Sequence, residues 1–232
     1  MVYQKSTYSI LCIPLALLLL LETGTLWQFI KETVAGYDTW LVNYMWMALG
    51  IVVFMAIRYL ILKLHWPFRR GRGKANLELT ETFMHEFTHQ FVALLLGRRL
   101  HSFHAEQYSG SVTTSGNEHT RLFVTLAPYC LPLLTLLLVA ERVMIKPEWL
   151  WLHDMFIGLT VGFHGVCFYK DTRSDQPDIK QFPLYFAYLY IVTFLLLNIT
   201  ITLVSIGRNL NIVDTIIYIL KHFWSIIASV SG

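Results

Sequence analysis

The chain has 232 residues, of which 55% are hydrophobic and only 14% carry a formal charge, against roughly 25% charged in an average soluble domain. Several apolar stretches approach the roughly 20 residues needed to cross a hydrocarbon core, which excludes an ordinary water-soluble domain. The net charge of +3 is small and its basic residues fall mostly between the apolar stretches, a distribution that suits lipid headgroups and gives no nucleic-acid signature.

The first apolar stretch, Ser9 to Leu21, follows a short start containing Lys5. No small-x-small cleavage site follows in Glu22-Thr23-Gly24-Thr25-Leu26-Trp27, so a retained span is expected rather than a removed signal. Trp40 to Leu64 is a second, stronger span with aromatic residues near its start, as at a membrane interface. The basic run Arg69-Arg70-Gly71-Arg72-Gly73-Lys74 then reads as a solvated, headgroup-facing loop.

The next segment, about residues 76–97, is bounded by Asn76 as a plausible N-cap and Gly97 as a plausible C-cap. It contains His85-Glu86-Phe87-Thr88-His89. Histidines four apart stack on one helix face, so both can point at one metal ion. Glu86, next to the first of them, is placed to reach a metal-held water as general base. The competing reading is two helix-face histidines bonded to neighbours beside a solvated Glu86. The segment is less apolar than a lipid-facing span, and polar groups at membrane depth face an interior or a wet cavity.

Residues 98–116 are rich in β-formers around Ser109-Gly110 and predict a hairpin. His101, His104 and His119 read as surface histidines rather than ligands. Arg121 to Ala140 is a span interrupted by Pro128 and Pro132, tolerable if neighbours satisfy the freed carbonyls. Trp149 to Phe168 follows, with Gly158 and Gly162 spaced for close helix packing. The polar loop Lys170 to Lys180 leads to the span Phe182 to Ile206, and Asn211 to Val230 either crosses or lies on the surface. Cys12, Cys130 and Cys167 sit in apolar segments without metal-type spacing and read as free thiols. With no internal repeat, residues 1–232 form one expected domain. The expected fold is an all-α, multi-pass membrane protein with about six transmembrane helices and a small β-hairpin after the metal-binding helix.

A catalytic zinc usually takes three protein ligands and leaves one position open, so two histidines are not enough. If the metal helix crosses and ends on one side, the two following spans bring the loop of about residues 170–181 back to that side. Asp178 and Asp175 are then the accessible carboxylates, and Asp178 is preferred because Pro177 stiffens the backbone before it. His164 is the remaining candidate, an ionisable group within an apolar span. The same alternation puts Lys63 and the basic run on the opposite side from Lys170.

His-Glu-Phe-Thr-His on an embedded helix, followed by Leu94-Leu95-Leu96-Gly97-Arg98-Arg99-Leu100 and a hairpin, resembles the site-2 protease (M50) family of intramembrane zinc metalloproteases. The resemblance is clearest over Glu81 to Gly116. It implies Zn2+ held by His85 and His89, with Glu86 as base and a transmembrane protein or peptide substrate bound beside the hairpin edge. The family's third ligand, an aspartate, corresponds to Asp178 in Gln176-Pro177-Asp178-Ile179. The chain departs from the family at Ala127-Pro128-Tyr129, where members have Gly-Pro and a nearby asparagine, and it has no insert long enough for a PDZ domain. The expected function is zinc-dependent intramembrane endopeptidase activity. The alternative is a non-proteolytic membrane metal-binding scaffold or transport component.

Overall fold

The computed structural model describes residues 5–63, 72–107 and 109–231. The first half of the basic run expected to form a headgroup-facing loop, Arg69 to Gly71, lies outside the described residues, and the second half, Arg72 to Lys74, is helical instead of a loop. The described chain is helical apart from one antiparallel hairpin. Its helices are α1 (Lys5–Ala35), α2 (Tyr37–Lys63), α3 (Arg72–Leu95), α4 (Arg121–Cys130), α5 (Leu133–Glu141), α6 (Leu150–Asp171), α7 (Pro177–Lys180), α8 (Leu184–Arg208) and α9 (Ile212–Ser231), with strands β1 (Arg99–Ala105) and β2 (Gly110–Ser115) after α3.

Five helices are long and apolar enough to cross a membrane, namely α1, α2, α6, α8 and α9, and the bent pair α4 and α5 makes up to six. This is a multi-pass membrane protein. By length and composition the segment 211–230 therefore counts among the candidate spans, whereas α3 does not meet the same criterion. Helix α1 also runs well past Leu21, because Glu22 and Thr25 turn inward and are fully buried instead of marking an end.

Two parallel helix pairs build the frame. Along α1 and α8, Tyr8 packs on Phe182 and Phe186 near the start, and Phe29 and Glu32 meet Gly207 and Arg208 near the end. Along α2 and α6, Trp46 meets Trp151 and Phe54 meets Phe163, with ring centroids 5.2 and 6.1 Å apart. The backbones between these rings touch. A Cβ on Gly158 would fall 2.0 Å from the Met47 carbonyl oxygen and one on Gly50 2.0 Å from that of Met155, so only glycine permits this approach. Arg142 reaches from the end of α5 into α6 and α8, pairing with Asp154 through Nε and Nη2 at 2.9 and 3.1 Å and donating to Asn209. This buried charge pair is fully hydrogen-bonded, the condition under which burial is tolerated. His153, on the same helix, is also buried and lies 3.2 Å from the Glu141 carboxylate.

Strict alternation of sides fails at α3. Arg58 near the end of α2 and Lys170 at the end of α6 both pair with Glu81 of α3, so α2 and α6 finish side by side. Arg98, just after α3, donates to the Asn117 carbonyl and Thr120 hydroxyl at the head of α4. Arg121 there reaches Gln181 beyond α7. Glu81 in the middle of α3 and Arg98 just past its end thus both sit at the end of the bundle where α2 and α6 finish, and α3 lacks the composition of a span.

Candidate metal centre

Helix α3 starts at Arg72, a turn before Asn76, and Thr80 returns its hydroxyl to the Asn76 carbonyl within the helix. Its C-terminus follows the expectation. Gly97 adopts φ of +67°, Gly97 N donates to Leu94 O and Arg98 N to Ala93 O, the bond pair of a Schellman stop that turns the chain into the hairpin. Glu81, His85, His89 and Ala93 recur every four residues and so share one face, which packs inward.

Proline chemistry shapes the opposing wall. Pro128 has no N–H, so the carbonyl of Val124, four residues back, has no helical partner. That carbonyl lies 2.7 Å from His89 Nδ1. Two residues after Cys130, Pro132 ends the helical run, and α5 continues at 83° to α4. Asn198 of α8 donates to the Cys130 carbonyl at 2.9 Å across the break. The short helix α7, with Pro177 at its first turn, projects Asp178 toward α3.

One metal-competent group of three occurs among the described residues: His85, His89 and Asp178, with ligand atoms all within 4.8 Å of one another. Asp178 Oδ2 lies 3.2 Å from His89 Nε2 and 3.7 Å from His85 Nε2. The outer nitrogens are engaged elsewhere, His89 Nδ1 with the Val124 carbonyl and His85 Nδ1 with Asp171 Oδ2 at 3.5 Å. A carbonyl only accepts, so His89 carries its proton on Nδ1 and turns the Nε2 lone pair inward. In neutral imidazole that lone pair then faces a carboxylate oxygen, and two acceptors at 3.2 Å require a proton or a cation between them. The donor set, two imidazoles and a carboxylate, is one used by catalytic zinc, so the residues fit the ion.

Around the triad, the Tyr129 hydroxyl donates to Asp178 Oδ2 at 3.2 Å, and its ring stands edge-on to His85 with centroids 5.3 Å apart. Gln181 Nε2 lies 3.4 Å from Asp178 Oδ1. Burial opposes ionisation of Asp178, but the neighbouring imidazoles of His85 and His89 outweigh it and hold the carboxyl well below the usual carboxylate range. Burial pulls His85 downward, yet its bonds to Asp171 and Asp178 prevail and raise it to about 9. Glu86 is buried, and desolvation raises its carboxyl above the ordinary value against the opposing charges of His89 and His85.

The triad opens into a cleft of about 850 Å³ lined by α3, by the whole of β2 up to Thr114, by the start of α4 and by the α6 to α7 loop. The hairpin runs in register from Arg99 with Ser115 to Ala105 with Gly110, with an irregularity between Leu100 and Ser102. Among the described residues β2 pairs with β1 alone, which leaves its other edge without a strand, and its residues line the cleft. Gly110 lies against Glu86, where a Cβ would fall 2.4 Å from Glu86 Cγ and 2.5 Å from Oε1.

The other ligand candidates stand apart. Asp175 is exposed and paired with Arg173. His164 lines a separate small cavity beneath α3, and its Nε2 is buried with no hydrogen-bond partner among the described residues. His101 bonds Ser115, and His104 pairs with Glu106 on the exposed hairpin. All three cysteines are free. The sequence pattern does not single out Asp171, Tyr129 or the Val124 carbonyl. Only Pro128, which frees a carbonyl four residues back, carried a signal for any of them.

Compared with known protein families, residues 46–227, well over half of the chain, match the Peptidase M50B-like family. No curated protein and no solved structure matches the chain.

Proposed function

The chain belongs to the Peptidase M50B-like family, and from that premise we propose that it is a zinc-dependent intramembrane endopeptidase acting on a transmembrane protein or peptide. The observation that carries this reading is the meeting of His85 and His89 of α3 with Asp178 of α7, which is 89 residues beyond His89 in sequence, at a cleft that also holds Glu86. His85, His89 and Asp178 hold the ion. Bound zinc supplies Lewis acidity, which brings water ionisation toward neutral pH and polarises the carbonyl to be attacked.

Glu86 takes a proton from the attacking water and delivers it to the amide nitrogen as the C–N bond breaks, leaving a new carboxylate and a new amine. Burial raises its pKa above that of an ordinary carboxyl, the direction that makes a carboxylate a better proton acceptor. Asp171 and the Val124 carbonyl orient the two imidazoles, as outer partners of metal-binding histidines do. The free edge of β2 offers backbone donors and acceptors to an extended peptide. A substrate helix must unwind before cleavage, and strand pairing offsets part of its lost hydrogen bonding.

The test is Glu86→Gln in purified, reconstituted protein with single-span reporter substrates. Peptide release should vanish while zinc content stays at the wild-type level. An undiminished rate would remove Glu86 from the chemistry. Zinc binding in a wild-type protein that releases no peptide from any reporter would favour the scaffold reading, to which the missing family asparagine near Tyr129 also points.

A further inference from the structure

We propose that Pro128 is a positioning residue for the metal site: by withholding a backbone N–H it frees the Val124 carbonyl to fix His89. The inference rests on the reading of His85, His89 and Asp178 as a cation site and extends it to a residue with no ligand atom of its own.

In an uninterrupted helix the carbonyl of residue 124 would accept the N–H of residue 128 along the helix axis. Pro128 removes that donor, and its ring pushes the carbonyl four residues back away from the axis. Yet α4 stays helical through Pro128 as far as Cys130, so the proline is not needed to end it. A buried carbonyl without a partner is costly. Here the vacancy is filled from another helix, by His89 Nδ1 at 2.7 Å, with both Val124 and His89 buried. The bond does two things at once. It closes the gap in α4, and it fixes the tautomer and ring angle of His89 so that Nε2 faces Asp178 Oδ2. His85 obtains the same orientation from a carboxylate, Asp171, so each imidazole has its own outer partner. Pro132, by contrast, interrupts the chain at the bend and frees the carbonyl of Pro128, which His89 does not use.

The decisive variant is Pro128→Ala. Alanine is the best helix former, so the substitution extends an existing helix rather than breaking one. It returns an N–H to Val124 O in competition with His89. Zinc affinity, measured by chelator competition on the full chain in detergent, should fall by roughly 10 to 100-fold, the range for losing an outer partner of a metal-binding histidine. The visible absorption of the cobalt-substituted protein should shift with it, which a purely structural role would not produce. Pro132→Ala is the control and should leave affinity within about twofold, because the carbonyl that Pro132 frees, that of Pro128, is not the one bonded to His89.

An unchanged affinity and cobalt spectrum in Pro128→Ala, beside a wild type that binds zinc, overturns the role of Pro128 and leaves the triad standing. An equal loss in Pro132→Ala also overturns it, since the effect would then belong to the bend as a whole. A wild type that binds no zinc refutes the underlying metal reading instead.

Discussion

Gly110→Ala separates what the hairpin does for folding from what it does for chemistry. The added Cβ would lie 2.4 Å from Glu86 Cγ, 2.5 Å from Oε1 and 2.7 Å from Cδ, whereas carbon atoms rest at about 3.5–4.0 Å. Something must retreat by about 1 Å. All three contacts belong to the end of one side chain and none to backbone, so the carboxylate swings away at little cost to the fold. A displacement of about 1 Å at a reacting group can cost on the order of a hundredfold in rate, about 2.7 kcal/mol of transition-state stabilisation. The assay is single-turnover peptide release from a reconstituted reporter, with zinc content and thermal melting read on the same preparation. The expected result is kcat lower by about two orders of magnitude, zinc retained and the melting temperature little changed. A rate within about threefold of wild type would show that Glu86 is not confined by Gly110, and would remove the hairpin's claim on the general base.

Gly158→Ala makes the opposite contrast. Its Cβ would meet the Met47 carbonyl oxygen at 2.0 Å and the Gly50 Cα at 3.0 Å, and backbone cannot swing aside. The α2 and α6 pair should be forced apart, at a cost of about 1–3 kcal/mol or more. A lowered melting temperature checks this, and an unchanged one would mean the two helices do not pack backbone to backbone. Zinc loading should also depend on pH. His85 is raised to about 9 in the metal-free chain, so it must release a proton to bind zinc, while the lowered Asp178 is already ionised. Affinity should therefore rise with pH up to about 9, by roughly tenfold per unit for that one proton. Titration between pH 6 and 8 should span about two orders of magnitude, and a flat profile would contradict His85 as a ligand.

The parts of this protein that are local in sequence were legible there. The His-Glu-x-x-His spacing, the Gly97 stop, the β-forming run after it and the proline-broken span each follow from contacts within a few residues. The position of Asp178 beside His85 and His89 was reachable because two spans of known length had to return the chain to the end of α3, and Arg121 with Gln181 ties those ends together. Parity itself worked for the wrong segment. It assumed that α3 crosses, whereas Glu81 bridging Arg58 and Lys170 places the ends of α2 and α6 together. The length of α1 was hidden because Glu22 reads as a boundary and is instead buried. Asp171, Tyr129 and the approach of Gly110 to Glu86 depend on how helices and hairpin are rotated against one another, and no periodicity in the chain encodes those angles.

The central claim is that one divalent cation is held by two imidazoles of α3 and the carboxylate of α7. Metal analysis of the purified full chain, compared with His85→Ala and Asp178→Ala, tests it most directly. The account predicts close to one zinc per wild-type chain and loss of that zinc in both variants, with helical content retained. A full zinc complement in Asp178→Ala, or none in the wild type after reconstitution with the ion, would contradict it.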